Sequence, residues 1–338
     1  MMNREWIPEG SRGKDLDASE QPPAVLMLGG FGRSGSTLLE RCLAECPGVV
    51  GLGEVLHLWE RGLRDDELCG CSLPFSDCPF WTGVGEYAYG GWESLDSSLA
   101  VEDRTAVVRN RYLPELVTGL TFPTRRRQRQ RLLDRLDALY RAARKVGAAQ
   151  LIVDSSKHPA YAYLLRRASV QLKCVLVVRD PRGVAYSWAK VVKRPEAGSS
   201  DAYMPRYSTA AAVANWAAYG LLFHALTLLR VPVKTVHYED FMAHPRRVVD
   251  EILSFAGVDA TDTSHIQDDA VTLSKHHTVA GNPMRFRTGR LEIRKDSVWQ
   301  EQMPLRDRRL AGLISLPLRF AYRLQQSHQR PQEKSKRI

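Results

Sequence analysis

The stretch Gly29-Gly30-Phe31-Gly32-Arg33-Ser34-Gly35-Ser36-Thr37-Leu38-Leu39 follows the apolar run Ala24-Val25-Leu26-Met27-Leu28. Gly30 and Gly35 have the separation of the two glycines in a phosphate-cradling loop of the form G-x-x-x-x-G-K-[ST]. Glycines permit the tight turn, and the free N–H groups of a following helix face an anion. The lysine of such a loop is missing, because Ser36-Thr37 follows Gly35 at once. Arg33 places a charged fork inside the loop instead, and Ser34, Ser36 and Thr37 supply hydroxyl donors. The chemistry implied is anion binding without the lysine that reaches β/γ-phosphates, which weakens a nucleoside-triphosphatase reading.

A second group of polar residues lies in "VVRDPRGVAYSW". Arg179 ends an apolar strand, Asp180 can serve as N-cap, and Pro181 suits the first helical position. Ser187 lies eight residues on, in the second turn of that helix. Glu54 and His57 stand out in "GLGEVLH", and Asp154, Ser155 and Lys157 in "DSSKHP". "CGCSLPFSDCPFW" sets Cys69, Cys71 and Cys78 close together. Three thiols could bind zinc, but a structural site wants four ligands. A fourth would have to come from His57 or elsewhere. We therefore read packed thiols here and expect no metal.

The elements that would carry these residues alternate in type. Residues 24–29 read as a buried parallel strand, and 36–46 as a helix stopped by Pro47-Gly48. Leu56 to about Tyr89 reads as loop. Residues 101–120 and 127–146 read as helices, with Leu132, Leu136, Leu139 and Ala143 on one face of the second and arginines over the rest. "LIVDSSKHP" is a strand entering a loop. Residues 172–178 form a strand with a helix from Pro181, 207–229 an apolar helix, "VKTVHYEDF" a strand-like run and 245–256 a helix. Such alternation predicts an α/β fold, a parallel sheet flanked by helices, with ligands at the strand carboxyl ends. We expect a disordered lead over 1–22, a single domain over 23–325 and a basic tail over 326–338. Residues 60–148 would be a loop and helical insertion on the acceptor side.

The chain has 338 residues, 44% apolar and 25% charged, ordinary for a soluble enzyme. Lys+Arg 48 against Asp+Glu 38 gives a formal charge of +10. That balance suits nucleic acid, an anionic membrane or a polyanionic small ligand. "RRRQRQR", Arg125 to Arg131, reads as a solvated helix face, and no recognised nucleic-acid motif accompanies it, so nucleic acid is not an expected partner. The N-terminus lacks the apolar core of a signal peptide, and no stretch approaches the roughly 18 to 20 apolar residues that span a bilayer. A cytoplasmic protein with reduced thiols is the expectation. The basic, Leu-rich segment 305–324 is interrupted by Pro317 and reads as core, with room for weak membrane-surface contact. Oligomeric state is not set by the sequence.

"GRSGSTLL" after a strand resembles the 5′-phosphosulfate loop of sulfotransferases that use 3′-phosphoadenosine 5′-phosphosulfate (PAPS). "VVRDPRGVAYSW" is similar to the 3′-phosphate segment of the same family. "HYEDFMAHPRRVVDEILSFAGV", His237 to Val258, looks like a structural stretch of it. "HTVAGNPMRFRTG", His277 to Gly289, resembles the loop that closes over the nucleotide. The resemblance covers roughly 24–59 and 150–300 and implies a P-loop-like nucleotide-binding fold.

It further implies that Arg33, Ser34, Gly35, Ser36, Thr37, Arg179 and Ser187 hold PAPS. Gly281, Arg285 and Arg290 would lie at the 3′-phosphate or adenine. Glu54 follows Arg33 at about the distance at which tyrosylprotein and Golgi-type carbohydrate sulfotransferases carry their glutamate base, with His57 as the alternative. Lys157 resembles the lysine aimed at the bridging oxygen, so Glu54, Lys157 and Arg33 form the implied catalytic set. The products would be a sulfated carbohydrate, glycolipid or secondary metabolite and adenosine 3′,5′-bisphosphate, with no metal required. Two competitors stay open: a nucleotide-dependent kinase with a degenerate loop, and a nucleotide-binding protein without chemistry.

Overall fold

A computed structural model describes residues 21–193, 203–258, 262–267 and 269–329. The lead expected over 1–22 lies outside these residues but for 21 and 22, whereas a helix, Leu316–Gln329, runs into the tail expected over 326–338, the rest of which lies outside. Five parallel strands form the central sheet: β1 (Ala24–Gly29), β2 (Val49–Gly53), β3 (Leu151–Lys157), β4 (Gln171–Val178) and β5 (Val233–His237). Their order is β2-β3-β1-β4-β5. β1 is therefore central, with Leu26 beside Val153 on one side and Lys173 on the other. Strand alternation divides its side chains between two apolar layers. Val25 and Met27 pack with Leu52, Ile152 and Phe223, whereas Leu26 and Leu28 pack with Leu39, Val153 and Ile252. This is the α/β fold expected, with helices on both faces.

The helices that matter for the site are α1 (Ser36–Ala44), α2 (Pro79–Tyr89), α3 (Ser97–Val107), α4 (Leu113–Thr118), α5 (Pro123–Val146), α6 (Pro159–Leu165), α7 (Pro181–Ala189) and α8 (Thr209–Ala225). Asp180 caps α7 by accepting from Arg182 N–H at 2.9 Å, with Pro181 at its first position. α5 buries Leu132, Leu136, Leu139 and Ala143, the face read from the sequence.

Several boundaries differ from expectation. The segment read as loop to Tyr89 contains α2, whose two glycines and aromatics hide a helical signal. Burial of Phe80, Trp81 and Val84 makes it a helix. The helix expected over 101–120 breaks after Val107 and resumes at Leu113, because Pro114 cannot sit in a helix interior. A second, antiparallel sheet of Ile266–Gln267, Ala270–Leu273 and Gly289–Glu292 was not anticipated. The arginine run is only partly solvated. Arg125 pairs with Glu115, and Arg131 and Arg135 converge on the buried carboxylate of Asp103.

The sequence reading found no run of spanning length, but helix Thr209–Leu229 meets that length, with mean hydropathy 1.4 and 33% of the window buried. It serves the core here: Phe223 lies so close to Gly29 that a Cβ there would meet its ring at 2.3 Å. The segment 305–324, read as core, is largely uncovered, with Leu313 71% and Phe320 62% exposed.

Candidate active site

Strand order decides which residues meet. Along the carboxyl edge the sheet presents, in spatial order, the end of β2 with Glu54, the end of β3 with Lys157, the loop after β1, and the end of β4 with Arg179. Four neighbouring strands span three strand spacings, roughly 14 Å. Residues scattered over more than a hundred positions are thereby brought to one rim.

The loop between β1 and α1 is held open by contacts that only glycine tolerates. Gly30 (φ 117°) lies against the carbonyl of Val177, where a Cβ would come within 2.5 Å. Gly35 (φ 84°) faces the ring of Tyr238, and Gly32 the indole of Trp188. Trp188 Nε1 donates to the Gly32 carbonyl at 3.0 Å, so α7 clamps the loop one residue beyond Ser187. Ser34 is spent internally, donating to the Phe31 carbonyl at 2.8 Å. Gly35 caps α1 with no side-chain partner for the helix N–H groups, and Ser36 and Thr37 occupy the first turn. That turn is a ready anion site. Arg33 sits in the left-handed region (φ 71°), its guanidinium over Trp188 at 5.1 Å and its Nε buried without a partner.

Arg179 is buried beneath this loop. Its Nη1 donates to the Arg33 carbonyl at 3.0 Å, its Nη2 to Asp296 Oδ2 at 2.9 Å, and it stacks on Tyr238 at 4.6 Å. Arg179 and the loop are thus one unit. Ser187 is half-buried on α7 beside the clamp.

At the other end, Lys157 Nζ donates to Glu54 Oε1 at 2.5 Å, and His57 Nε2 lies 3.8 Å from Glu54 Oε2. Burial opposes the charge on Glu54, but Lys157 and then His57 outweigh it and hold the carboxyl below its usual range. Burial pushes His57 down to about 4, which keeps it neutral at pH 7. Lys157 itself adopts φ 65°, an unusual cost for a residue with a side chain. Glu54 N–H donates to the Val279 carbonyl at 2.8 Å, and Val279 N–H to the Leu52 carbonyl at 2.8 Å.

The loop after His277 does not meet the expectation set for it. Gly281 (φ 109°) lies over Glu54, with a Cβ position 3.4 Å from Oε1. It therefore belongs to the Glu54 end of the rim, not to the Arg179 end. Arg285 is buried, donating to the carbonyls of Thr278 and Leu68, both at 2.6 Å, so it ties loops together. Arg290 is exposed in the small sheet, hydrogen-bonded to Gln267.

Three residues were missed by the sequence reading. Glu40, buried in α1, accepts from Gly53 N–H and Ser155 Oγ, both at 2.6 Å, and so fixes the ends of β2 and β3 to each other. Arg41 donates to the carbonyls of Met284, Arg287 and Ser274, anchoring the 274–287 segment. Tyr238, read as structural, walls both Gly35 and Arg179. A charged pair inside an otherwise apolar helix was the available signal for Glu40 and Arg41.

Burial raises Glu40 from 4.5 to about 7. The folded chain keeps a proton that the unfolded chain releases near 4.5, so wild-type stability falls as pH rises from there to 7. Glu40→Gln escapes that loss and should gain on the wild type by up to about 3 kcal/mol across this interval. Urea midpoints of both proteins at pH 5 and pH 8 check it; an unchanging difference would refute it.

The family described as "Sulfotransferase domain" matches residues 24–308. The chain belongs to the sulfotransferase family. No curated protein matches its sequence. Among solved structures, this sulfotransferase is similar to the sulfotransferase domain from the curacin biosynthetic pathway. The identity is 17% and the TM-score 0.49, covering 88% of this chain and 98% of that one. It is also similar to sulfotransferase STF9 from Mycobacterium avium, at 12% identity and TM-score 0.40, covering 72% and 66%. A sulfotransferase from Alicyclobacillus acidocaldarius gives 15% identity and TM-score 0.32, covering 72% and 86%. The family match supports sulfuryl transfer in general, and the rim just described is the candidate centre of this sulfotransferase.

Proposed function

We propose that this chain transfers a sulfuryl group from PAPS to the hydroxyl of a carbohydrate, glycolipid or secondary metabolite, releasing adenosine 3′,5′-bisphosphate. One observation carries the reading: a carboxylate–lysine pair, an arginine-bearing anion loop and a second buried arginine lie in that order along one sheet edge. The residues suit a doubly anionic adenosine cofactor. The first turn of α1 and the orphaned Nε of Arg33 favour the 5′ end. Arg179 and Ser187 favour the 3′-phosphate. PAPS would supply the sulfuryl group.

Glu54 is ionised and takes the proton of the acceptor hydroxyl. Lys157 then turns from Glu54 toward the leaving oxygen, and Arg33 holds developing negative charge. His57 stands neutral beside Glu54, its Nε2 3.8 Å from Oε2. Arg179 exchanges Asp296 for phosphate.

Arg179→Ala tests the donor assignment. Loss of a charge-assisted contact should weaken adenosine 3′,5′-bisphosphate roughly 10- to 100-fold and weaken AMP, which lacks the 3′-phosphate, by a clearly smaller factor that reflects only the lost brace on the Arg33 loop. Equal losses for both by calorimetry would refute it.

A further inference from the structure

Cys69, Cys71, Cys78 and His277 come together although the histidine lies far along the chain. Their sulfurs and a ring nitrogen are all within 4.8 Å of one another. Cys78 Sγ and His277 Nδ1 are 3.2 Å apart. Cys69 and Cys78 are buried, and all the cysteines are free thiols. We propose that these four side chains bind one structural zinc ion. Three thiolates and one imidazole are a closed zinc donor set, and zinc–sulfur bonds of about 2.3 Å hold sulfurs roughly 3.8 Å apart in a tetrahedron. The cluster needs only small contraction or expansion to reach that. On binding, three thiols lose their protons to solvent and the imidazole stays neutral.

The surrounding backbone is built for such a knuckle. Cys69 N–H donates to the Leu73 carbonyl and Ser72 N–H to the Cys69 carbonyl, both at 2.8 Å, with Ser72 at φ 74° closing the turn. Gly70 N–H donates to the Thr278 carbonyl at 2.9 Å, and a Cβ on Gly70 would strike Thr278 Oγ1 at 2.4 Å. The two loops therefore meet backbone to backbone at the cluster. Phe80 stacks on the His277 ring with centroids 5.4 Å apart, fixing its plane. Cys78 is the N-cap of α2, which places its sulfur at a rigid junction.

The position gives the ion a task. Two residues past His277, Val279 pairs with β2 and receives the Glu54 N–H. The zinc pins the start of the segment that covers Glu54.

The full-length chain, expressed with zinc and purified without chelators, should carry one zinc per chain by mass spectrometry of the elements. X-ray absorption should show a shell of three sulfurs and one nitrogen. Cys69→Ser and Cys78→Ser should lose at least nine-tenths of the zinc, and Cys46→Ser, outside the cluster, should keep it. Should the variants fail to fold, the wild type decides alone. Zinc should be released by a thiol-blocking reagent, and its removal should speed amide exchange at 52–54 and 277–281. A reduced wild-type chain that binds neither zinc nor cobalt would overturn the proposal. So would a shell without sulfur, or an intact mass short of two hydrogens from a Cys69–Cys78 disulfide. Unchanged amide exchange after removal would overturn the clamping role.

Discussion

Glu54→Gln should cut turnover by 10²- to 10⁴-fold, the usual range for loss of a positioned base, while adenosine 3′,5′-bisphosphate binds as before. Glutamine keeps the shape and can still meet Lys157, so the donor end of the rim, three strands away, is undisturbed. Only the ability to accept the acceptor's proton goes. The wild-type rate should also hold its plateau into acid. The base works ionised, and Lys157 and His57 hold its pKa below the ordinary carboxylate range despite burial. Its acid limb therefore lies below the ordinary carboxylate range. Single-turnover kinetics with labelled PAPS and a responsive acceptor measure both. A variant that keeps the wild-type rate would move the proton to His57, whose Nδ1 is buried without a partner.

Removal of Lys157 is the second large effect, and it separates chemistry from folding. Lys157→Ala should lower turnover about 10²- to 10³-fold by stripping charge stabilisation from the leaving oxygen. It should also destabilise the fold by roughly 3 kcal/mol, since it leaves the Glu54 carboxylate uncompensated in a largely buried site. The side chains are only 14% and 18% exposed, so solvent screens the pair little. Removing both charges, as in Glu54→Gln with Lys157→Met, should recover most of that stability and none of the rate. Lys157→Gly adds a control. It relieves the φ 65° backbone by about 1 kcal/mol yet should be as slow as Lys157→Ala. Should the double variant be no more stable than Lys157→Ala, the ion pair is not the source of the loss.

The parts of this site legible in the sequence are those where one short segment holds its own chemistry. The Gly30–Thr37 loop announces itself because strand, glycines and helix are contiguous, and Arg179 because strand, Asp180 cap and Pro181 adjoin it. Glu54 and Lys157 could be nominated, but their contact follows from β2 and β3 being neighbours, which strand order alone decides. The segment after His277 misled for the same reason. Its basic residues suggest a phosphate lid, whereas Arg285 is consumed by the carbonyls of Leu68 and Thr278. The cysteine cluster was passed over for want of a fourth ligand, which lies in that same distant segment. Glu40 escaped notice because a carboxylic acid inside a helix gives no motif; its meaning comes from Gly53 and Ser155, its partners across the fold.

The bridge between Gly53 and Val279 joins an early strand to a late segment. During synthesis, the sheet from β1 to β4 can form while the ribosome is still adding the residues that cover Glu54. The Glu54 carboxylate must wait, beside its lysine, for a wall made more than two hundred residues later in the chain. Loop-closure entropy makes that step slow. A product stalled before Val279 would therefore carry the loop after β1 while lacking the backbone that closes over Glu54.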